Sequence, residues 1–426
     1  MKKLLILILA AAFFLCGYSS GNVSAQENLP EQQGDIPVMI DGLPVIFDVQ
    51  PIIQNGRVLV PFRAIAEALK VEVVWDGETR TVTAADNNNQ VILQIGEHTA
   101  IINCSSSYLD VPPLIHNQRT LIPLRFFSEA FNCDVKWIDT AREVKITSPP
   151  KPMRVTGFYA LGDSQTSSWT NLFGDVYPNH GKGNTDIVSE LALGWYSIDG
   201  EGNILTRSRT GWQRPAGWER VLETADIYGL YTEMVIHETN KYGILSSLLA
   251  GETAMENTVN GIMDEVKLYK GVNLNLEGLG LSEKGDELLK VQQRFTNFVR
   301  MLSEQLRPNG KTITLTLHAP NSVYKGYDYQ ALGKLADRII IMAYDYGPRP
   351  EPVSQVIRAV EIAKAVVPPE KLVLGISAPS ETSDSMHTKV GIAKRYDLNG
   401  IALWRLGLIT GEMWDMLRSA VLTRTV

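Results

Sequence analysis

The chain has 426 residues, 44% of them hydrophobic and 20% charged, a globular composition that excludes intrinsic disorder for most of its length. Its 40 Lys and Arg stand against 47 Asp and Glu, and the net charge of −7 argues against a duplex nucleic-acid binder and against a polybasic membrane tether. Three cysteines are too few for a disulfide-stapled scaffold, and only the extreme N-terminus carries a long uncharged apolar run, which excludes a multi-span membrane protein.

Lys2-Lys3, an apolar run from Leu4 to Leu15 and Val23-Ser24-Ala25 read in order as a basic region, a hydrophobic core and a small-residue cleavage site. Residues 1–25 are therefore expected to be a signal peptide, and the protein to be secreted or held at the cell envelope or spore. The run is too short for a spanning helix, which needs about 20 apolar residues. Lipid attachment at Cys16 is the less favoured alternative, because the bulky Phe13-Phe14-Leu15 precedes it where small residues belong. Loss of Lys2 and Lys3 takes the mature charge to −9. Binding to an anionic wall polymer would then need specific contacts rather than bulk charge.

The next segment repeats itself at an offset of 62 residues. Asn55-Gly-Arg-Val-Leu-Val-Pro-Phe-Arg-Ala-Ile-Ala-Glu-Ala-Leu matches Asn117-Gln-Arg-Thr-Leu-Ile-Pro-Leu-Arg-Phe-Phe-Ser-Glu-Ala-Phe, and Val73-Val74-Trp75 matches Val135-Lys136-Trp137. Each copy reads as strand, helix, strand, turn, strand. Pro61 and Pro123 suit a first helical turn, where a missing N–H costs nothing. Ile65, Ala68 and Leu69 share one helical face, as do Phe127, Ala130 and Phe131. The repeats resemble the copper-amine-oxidase N-terminal-like domain, over residues 36–147. Despite that name, His98 and His116 are isolated and no metal site is expected. Cys104 and Cys133 both fall here, and whether they pair cannot be read from spacing. The resemblance implies association with the cell wall or envelope, without chemistry. Pro149-Pro150-Lys151-Pro152 then reads as a stiff linker over residues 148–153.

From Arg154 to Val426, apolar strand-like runs alternate with amphipathic stretches. The runs are Val155–Tyr159, Ile187–Trp195, Glu233–His237, Gly271–Glu277, Thr312–Leu317, Arg338–Tyr344, Leu372–Ile376 and Gly400–Trp404. Eight strands with helical crossovers predict an α/β fold, a (β/α)8 TIM barrel, preceded by the smaller α+β domain of two repeats. An open doubly wound sheet is the competitor, but no Gly-rich strand-to-helix turn announces it. In the fourth run, Val272, Leu274 and Leu276 share one face, and Asn273, Asn275 and Glu277 the other. In a barrel the polar set points inward, with Glu277 last, at the C-terminal rim where barrel active sites lie. An edge strand with a solvated polar face is the plainer alternative.

On these residues the second half resembles glycoside hydrolase family 18, of the spore-germination and cortex-fragment-lytic type. The family's fourth strand, Asp-x-x-Asp-x-Asp-x-Glu, aligns with Lys270, Asn273, Asn275 and Glu277. Met342-Ala-Tyr344-Asp345 matches its sixth-strand Met-x-Tyr-Asp, Trp404 its eighth-strand tryptophan, and Gly157-Phe-Tyr159 its first strand. The resemblance implies substrate-assisted retaining hydrolysis of an N-acetylglucosamine-containing glycan: peptidoglycan, spore cortex or chitin oligomers. Glu277 would be the general acid, its pKa raised by burial. Asn275 and Tyr344 would hold the acetamido group, and Asn273, Asp345, Trp404, Tyr159 and Met342 would bind the sugar. Neither a cofactor nor a nucleic-acid partner is implied. Asn273 and Asn275 replace aspartates, so a weakened, lectin-like glycan binder is the alternative. Glu233, His237, Glu238 and His318 read as a solvated rim. Of Trp169, Trp195, Trp212 and Trp218, one or two are expected to touch glycan. The short interval between Ile376 and Ile401 predicts an open groove.

Overall fold

The computed structural model describes residues 36–160, 166–208 and 210–423. The segment read as a signal peptide, with Cys16 and Ala25, lies outside the described residues. The chain divides into two compact units, one holding Phe47–Ala66 and Val71–Phe127, the other Ile36–Ile46, Glu67–Lys70 and the chain from Ser128 onward.

In the first unit the two repeats meet as hairpins. Ile52–Gln54 and Arg57–Pro61 form one, Leu114–His116 and Arg119–Pro123 the other, and their second strands pair antiparallel, with Val60 opposite Ile122. Both turn residues of each hairpin, Asn55-Gly56 and Asn117-Gln118, have positive φ, the twist that a two-residue connection needs. Pro61 and Pro123 end these strands, and the helices begin at Phe62 and Leu124. The prolines thus sit just before the first helical turn rather than in it, because a φ near −65° also serves an extended strand end. The first repeat runs on into a five-stranded antiparallel meander, Glu72–Asp76 to Ser105–Tyr108. The corresponding pair of the second repeat, Asp134–Ile138 and Glu143–Thr147, belongs to the second unit, where Glu143–Thr147 pairs in parallel with Val38–Ile40. Cys104 is exposed, Cys133 is buried, and neither is in a disulfide.

The rest of the second unit is a closed parallel barrel. Its strands are β1 (Lys151–Tyr159), β2 (Glu190–Ile198), β3 (Tyr231–Thr239), β4 (Gly271–Glu277), β5 (Thr312–His318), β6 (Arg338–Met342), β7 (Leu372–Ser377) and β8 (Gly400–Trp404). Closure follows from β1, which pairs with β2 on one side and β8 on the other. Side-chain alternation sorts each strand between two cores. Val272, Leu274 and Leu276 of β4 pack outward with the helices, whereas Phe158, Ala192, Val235, Ile340, Val373 and Ala402 fill the interior. The long helix Gly285–Leu306 buries Phe295, Phe298, Val299, Leu302 and Leu306 along one stripe, and Leu289 is exposed.

Two features depart from the expected domain layout. β1 begins at Lys151, so the stretch read as a linker supplies strand residues, with Pro152 opposite Leu422. Pro152 is tolerated because β8 joins β1 only from Arg154 and β2 only from Thr156, leaving this end paired on one side. Residues 36–46 also pack against the helix Ser383–Arg395. The buried Asp41 carboxylate accepts the Ser148 N–H at 2.9 Å and Oγ–H at 2.5 Å, with Lys394 Nζ at 3.6 Å. Arg395 donates to the carbonyls of Leu43 and Pro44. The boundary expected at 148–153 therefore falls inside one compact unit.

Candidate active site

The N-terminal end of the barrel is plugged by charge. Arg338, the first residue of β6, donates to Glu190 and Glu233, and Arg154 also reaches Glu190. Thr156 donates to Glu190 at 2.9 Å and Thr314 to Glu233 at 2.6 Å. Buried ions persist only when paired and hydrogen-bonded in this way. Asn273 belongs to this network. Its amide donates to Glu233 at 3.2 Å and its oxygen accepts from Thr316 at 2.7 Å. Fully buried and held from both sides, Asn273 is a support beneath the site, not the sugar contact expected from its motif position.

One layer higher, Asn275 of β4 lies in register with His237 of β3, and Glu277 with Thr239. Asn275 Nδ2 donates to Glu277 Oε1 at 2.9 Å and lies 3.8 Å from Met342 Sδ. Met342 is therefore a buried floor under Asn275. Tyr344 follows on the same side, and Gly375 of β7 gives it room: a Cβ there would lie 2.7 Å from the Ile341 carbonyl oxygen and 3.2 Å from Tyr344 Cε1. Asp345 is exposed in a left-handed conformation at φ +64°, with its N–H on Glu351 at 3.0 Å. Trp404 ends β8 inside the barrel mouth, edge-on to Phe158 at 5.5 Å. Tyr159 faces the other way, against Trp195 among the helix-side residues, because its parity on β1 is that of Val155. It is not part of the site.

Of the four residues assigned to a solvated rim, His237 and His318 face Glu277, whereas Glu233 lies in the buried plug below and Glu238 is buried and accepts from Ser197. His237 is buried, stacked on Trp212 at 4.2 Å and 13°, and Trp212 stacks in turn on Trp404 at 5.3 Å. His237 Nε2 lies 3.6 Å from Glu277 Oε1, and Thr210 Oγ1 lies 3.3 Å from its Nδ1. His318 stacks on Tyr324, and its Nε2 accepts the Gly278 N–H at 3.3 Å and lies 3.8 Å from Glu277 Oε2. Burial holds the His318 pKa below the ordinary imidazole value against the pull of Glu277. The alternation of β3 is hard to see in sequence because both of its faces are buried. Of the four tryptophans named from sequence, Trp212 is the one built into this stack, while Trp169 and Trp195 lie in the core outside the barrel.

The electrostatics correct one expectation. Burial works to raise the Glu277 pKa. The hydrogen bond and charge of His237, then His318 and the Asn275 amide, work the other way and prevail, leaving the carboxyl below the usual glutamate range. An aspartate at 275 would have opposed ionisation; an asparagine donating Nδ2–H favours it. Burial, then the charges of Glu277 and Asp345, hold Tyr344 well above the usual phenol value, so its hydroxyl remains a donor. Burial, then repulsion from Glu351 and Glu277, raises Asp345, with Arg349 opposing.

The sequence between the end of β3 and the helix after β7, residues 238–383, matches the family "Glycosyl hydrolases family 18". The barrel is a family 18 domain. Residues 39–146 match "Copper amine oxidase N-terminal domain", so the family 18 domain follows the repeats as the resemblance implied. That name's copper finds no donor set: His98 Nδ1 lies 2.7 Å from the Leu109 carbonyl oxygen, and among the described residues no three metal-binding side chains converge. YdhD of Bacillus subtilis, whose name assigns it provisionally to the sporulation-specific glycosylases, is 28% identical over 47% of this chain and 44% of its own. The cortical fragment-lytic enzyme of Bacillus anthracis is 23% identical over 31% of this chain and 32% of its own. The match thus spans less than half the length of either curated relative. Among solved structures, the Bacillus cereus spore cortex-lytic enzyme SleL shares the fold at a TM-score of 0.53 and 15% identity, covering 66% of this chain and 77% of that one.

Proposed function

We propose that the protein is an exported retaining glycosidase that cleaves an N-acetylglucosamine-containing glycan, with peptidoglycan or spore cortex as its substrate class. The observation that carries this reading is the position of Glu277, the last inward residue of β4, with Asn275 bonded to it and Tyr344 and Trp404 at the same mouth. In the reaction, Glu277 gives its proton to the glycosidic oxygen as the bond to the anomeric carbon breaks, and the sugar's acetamido oxygen closes on that carbon. Asn275 spends its amide N–H on Glu277, which leaves its oxygen to accept the acetamido N–H. Tyr344 donates to the acetamido carbonyl, and Trp404 forms the apolar floor. Water then opens the cyclic intermediate and returns a proton to Glu277. The cortex-lytic names of the relatives support the substrate class, and the N-terminal sequence supports export. The repeat segment supports wall association. The neutral Asn275 stabilises the cationic intermediate less than an aspartate would, so turnover is expected to be slow.

Purified protein and its Glu277→Gln variant, digested in parallel with N-acetylated peptidoglycan fragments and chitin oligomers, test this. New reducing ends are expected from the wild type, with the variant at least about 100-fold slower, the scale of a lost general acid. A marked preference for chitin would contradict the substrate class. A lectin-like second reading is favoured by one observation, the Glu277 carboxyl held below its usual range beside His237 and Asn275. Binding without any release of reducing ends by the wild type would establish it.

A further inference from the structure

We propose that His237 is a positioning residue that shares a single proton with Glu277 and thereby sets the upper pH limit of the reaction. The inference rests on the reading of Glu277 as the acid. Asn273 and Asn275, the nearest inward residues of β4, cannot carry an exchangeable proton to the acid, and His318 Nε2 is committed to the Gly278 N–H. His237 is placed to do so. Its ring is buried, clamped flat against Trp212, and met at Nδ1 by Thr210 Oγ1, which turns Nε2 to Glu277 Oε1 at 3.6 Å. The groups facing this pair are Asn275 from β4, Thr210 and Trp212 from the loop after β2, His318 from β5, and Tyr344 and Asp345 beyond β6.

One proton then has two places. With neutral Glu277, the His237 Nε2 lone pair faces the carboxyl O–H; with ionised Glu277, the imidazolium N–H faces the carboxylate. The proton passes to Glu277, then to the glycosidic oxygen as the bond to the anomeric carbon breaks, and the attacking water restores it to the carboxylate. Such a pair loses its protons in two steps that bracket the single step of a lone glutamic acid. The alkaline limb of the reaction then belongs to the pair and not to Glu277 alone.

The test combines the pH dependence of kcat/KM on an N-acetylated glycan with the titration of the 13C-labelled Glu277 carboxyl, assigned by its loss in Glu277→Gln. In His237→Gln, the alkaline limb is expected to move to lower pH, toward that of a lone glutamic acid, with a higher plateau below it because no share of the proton then rests on an imidazole. The carboxyl titration is expected to move up, in the opposite direction. Thr210→Val, which leaves the ring stack in place, should produce the same two shifts at smaller size. Thermal unfolding of each variant identifies one that has failed to fold, and the other then carries the test. A limb and a carboxyl titration that both stay put overturn the proposal. If the wild type hydrolyses nothing, the reading of Glu277 as acid fails, whereas an unmoved carboxyl titration still refutes proton sharing by itself.

Discussion

Asn275 decides how the acid behaves. As an aspartate it would repel a second negative charge, whereas as an asparagine it donates Nδ2–H to Glu277 and stabilises the carboxylate. Asn275→Asp removes the donor and adds a like charge, and both changes favour protonated Glu277. The variant is expected to hydrolyse glycan about tenfold faster near neutral pH, with the Glu277 carboxyl titrating higher, as kinetics and carboxyl NMR can report. That asparagines stand at 273 and 275, on one face with Glu277, was legible in the sequence from strand alternation alone. Their different tasks were not. Which amide supports the barrel interior and which touches the acid depends on Glu233, Thr316 and Met342, residues brought in from three other strands.

At the scale of elements, the strands with one polar and one apolar face were the readable ones. β4 and β8 carry the expected boundaries, because their alternation or flanking glycine marks them. β3 resisted, since Glu233, Val235 and His237 face inward while Met234 and Ile236 face the helices, and both sides are buried. Tyr159 is the opposite case: its motif position places it on β1, but its parity there is that of Val155, which turns it to the helices. A neighbouring strand also shapes the site without chemistry of its own. β7 passes close to Tyr344 only because residue 375 has no side chain, so Gly375→Ala must push Tyr344 or the Ile341 carbonyl aside. The expected result is about 1–3 kcal/mol of lost stability, the usual cost of overpacking, with a fall in kcat larger than any change in KM. Chemical denaturation and steady-state kinetics on the same sample measure both.

At the scale of the whole molecule, residues 36–46 and the chain from Ser128 onward belong to one compact unit. The fold classes of both parts were legible, the barrel from eight alternating runs and the smaller domain from its repeat. The seam was not, because the proline run masks the tertiary contacts of Asp41 and Lys394. Asp41→Ala leaves the Lys394 ammonium buried with its carboxylate partner gone, and is expected to cost roughly 3 kcal/mol of stability in urea unfolding. Deleting residues up to 152 removes Asp41, Ser148 and the outer end of β1 together, so a truncated barrel should unfold more readily than the full chain rather than persist as an independent enzyme. The central claim is that Glu277 acts as the acid of a substrate-assisted, retaining hydrolysis. Proton NMR of the anomer released in the first minutes from an N-acetylglucosamine oligomer tests it most directly. The β-anomer from the wild type, with no product from Glu277→Gln, is the expected result; an initial α-anomer, or equal turnover by the variant, would contradict it.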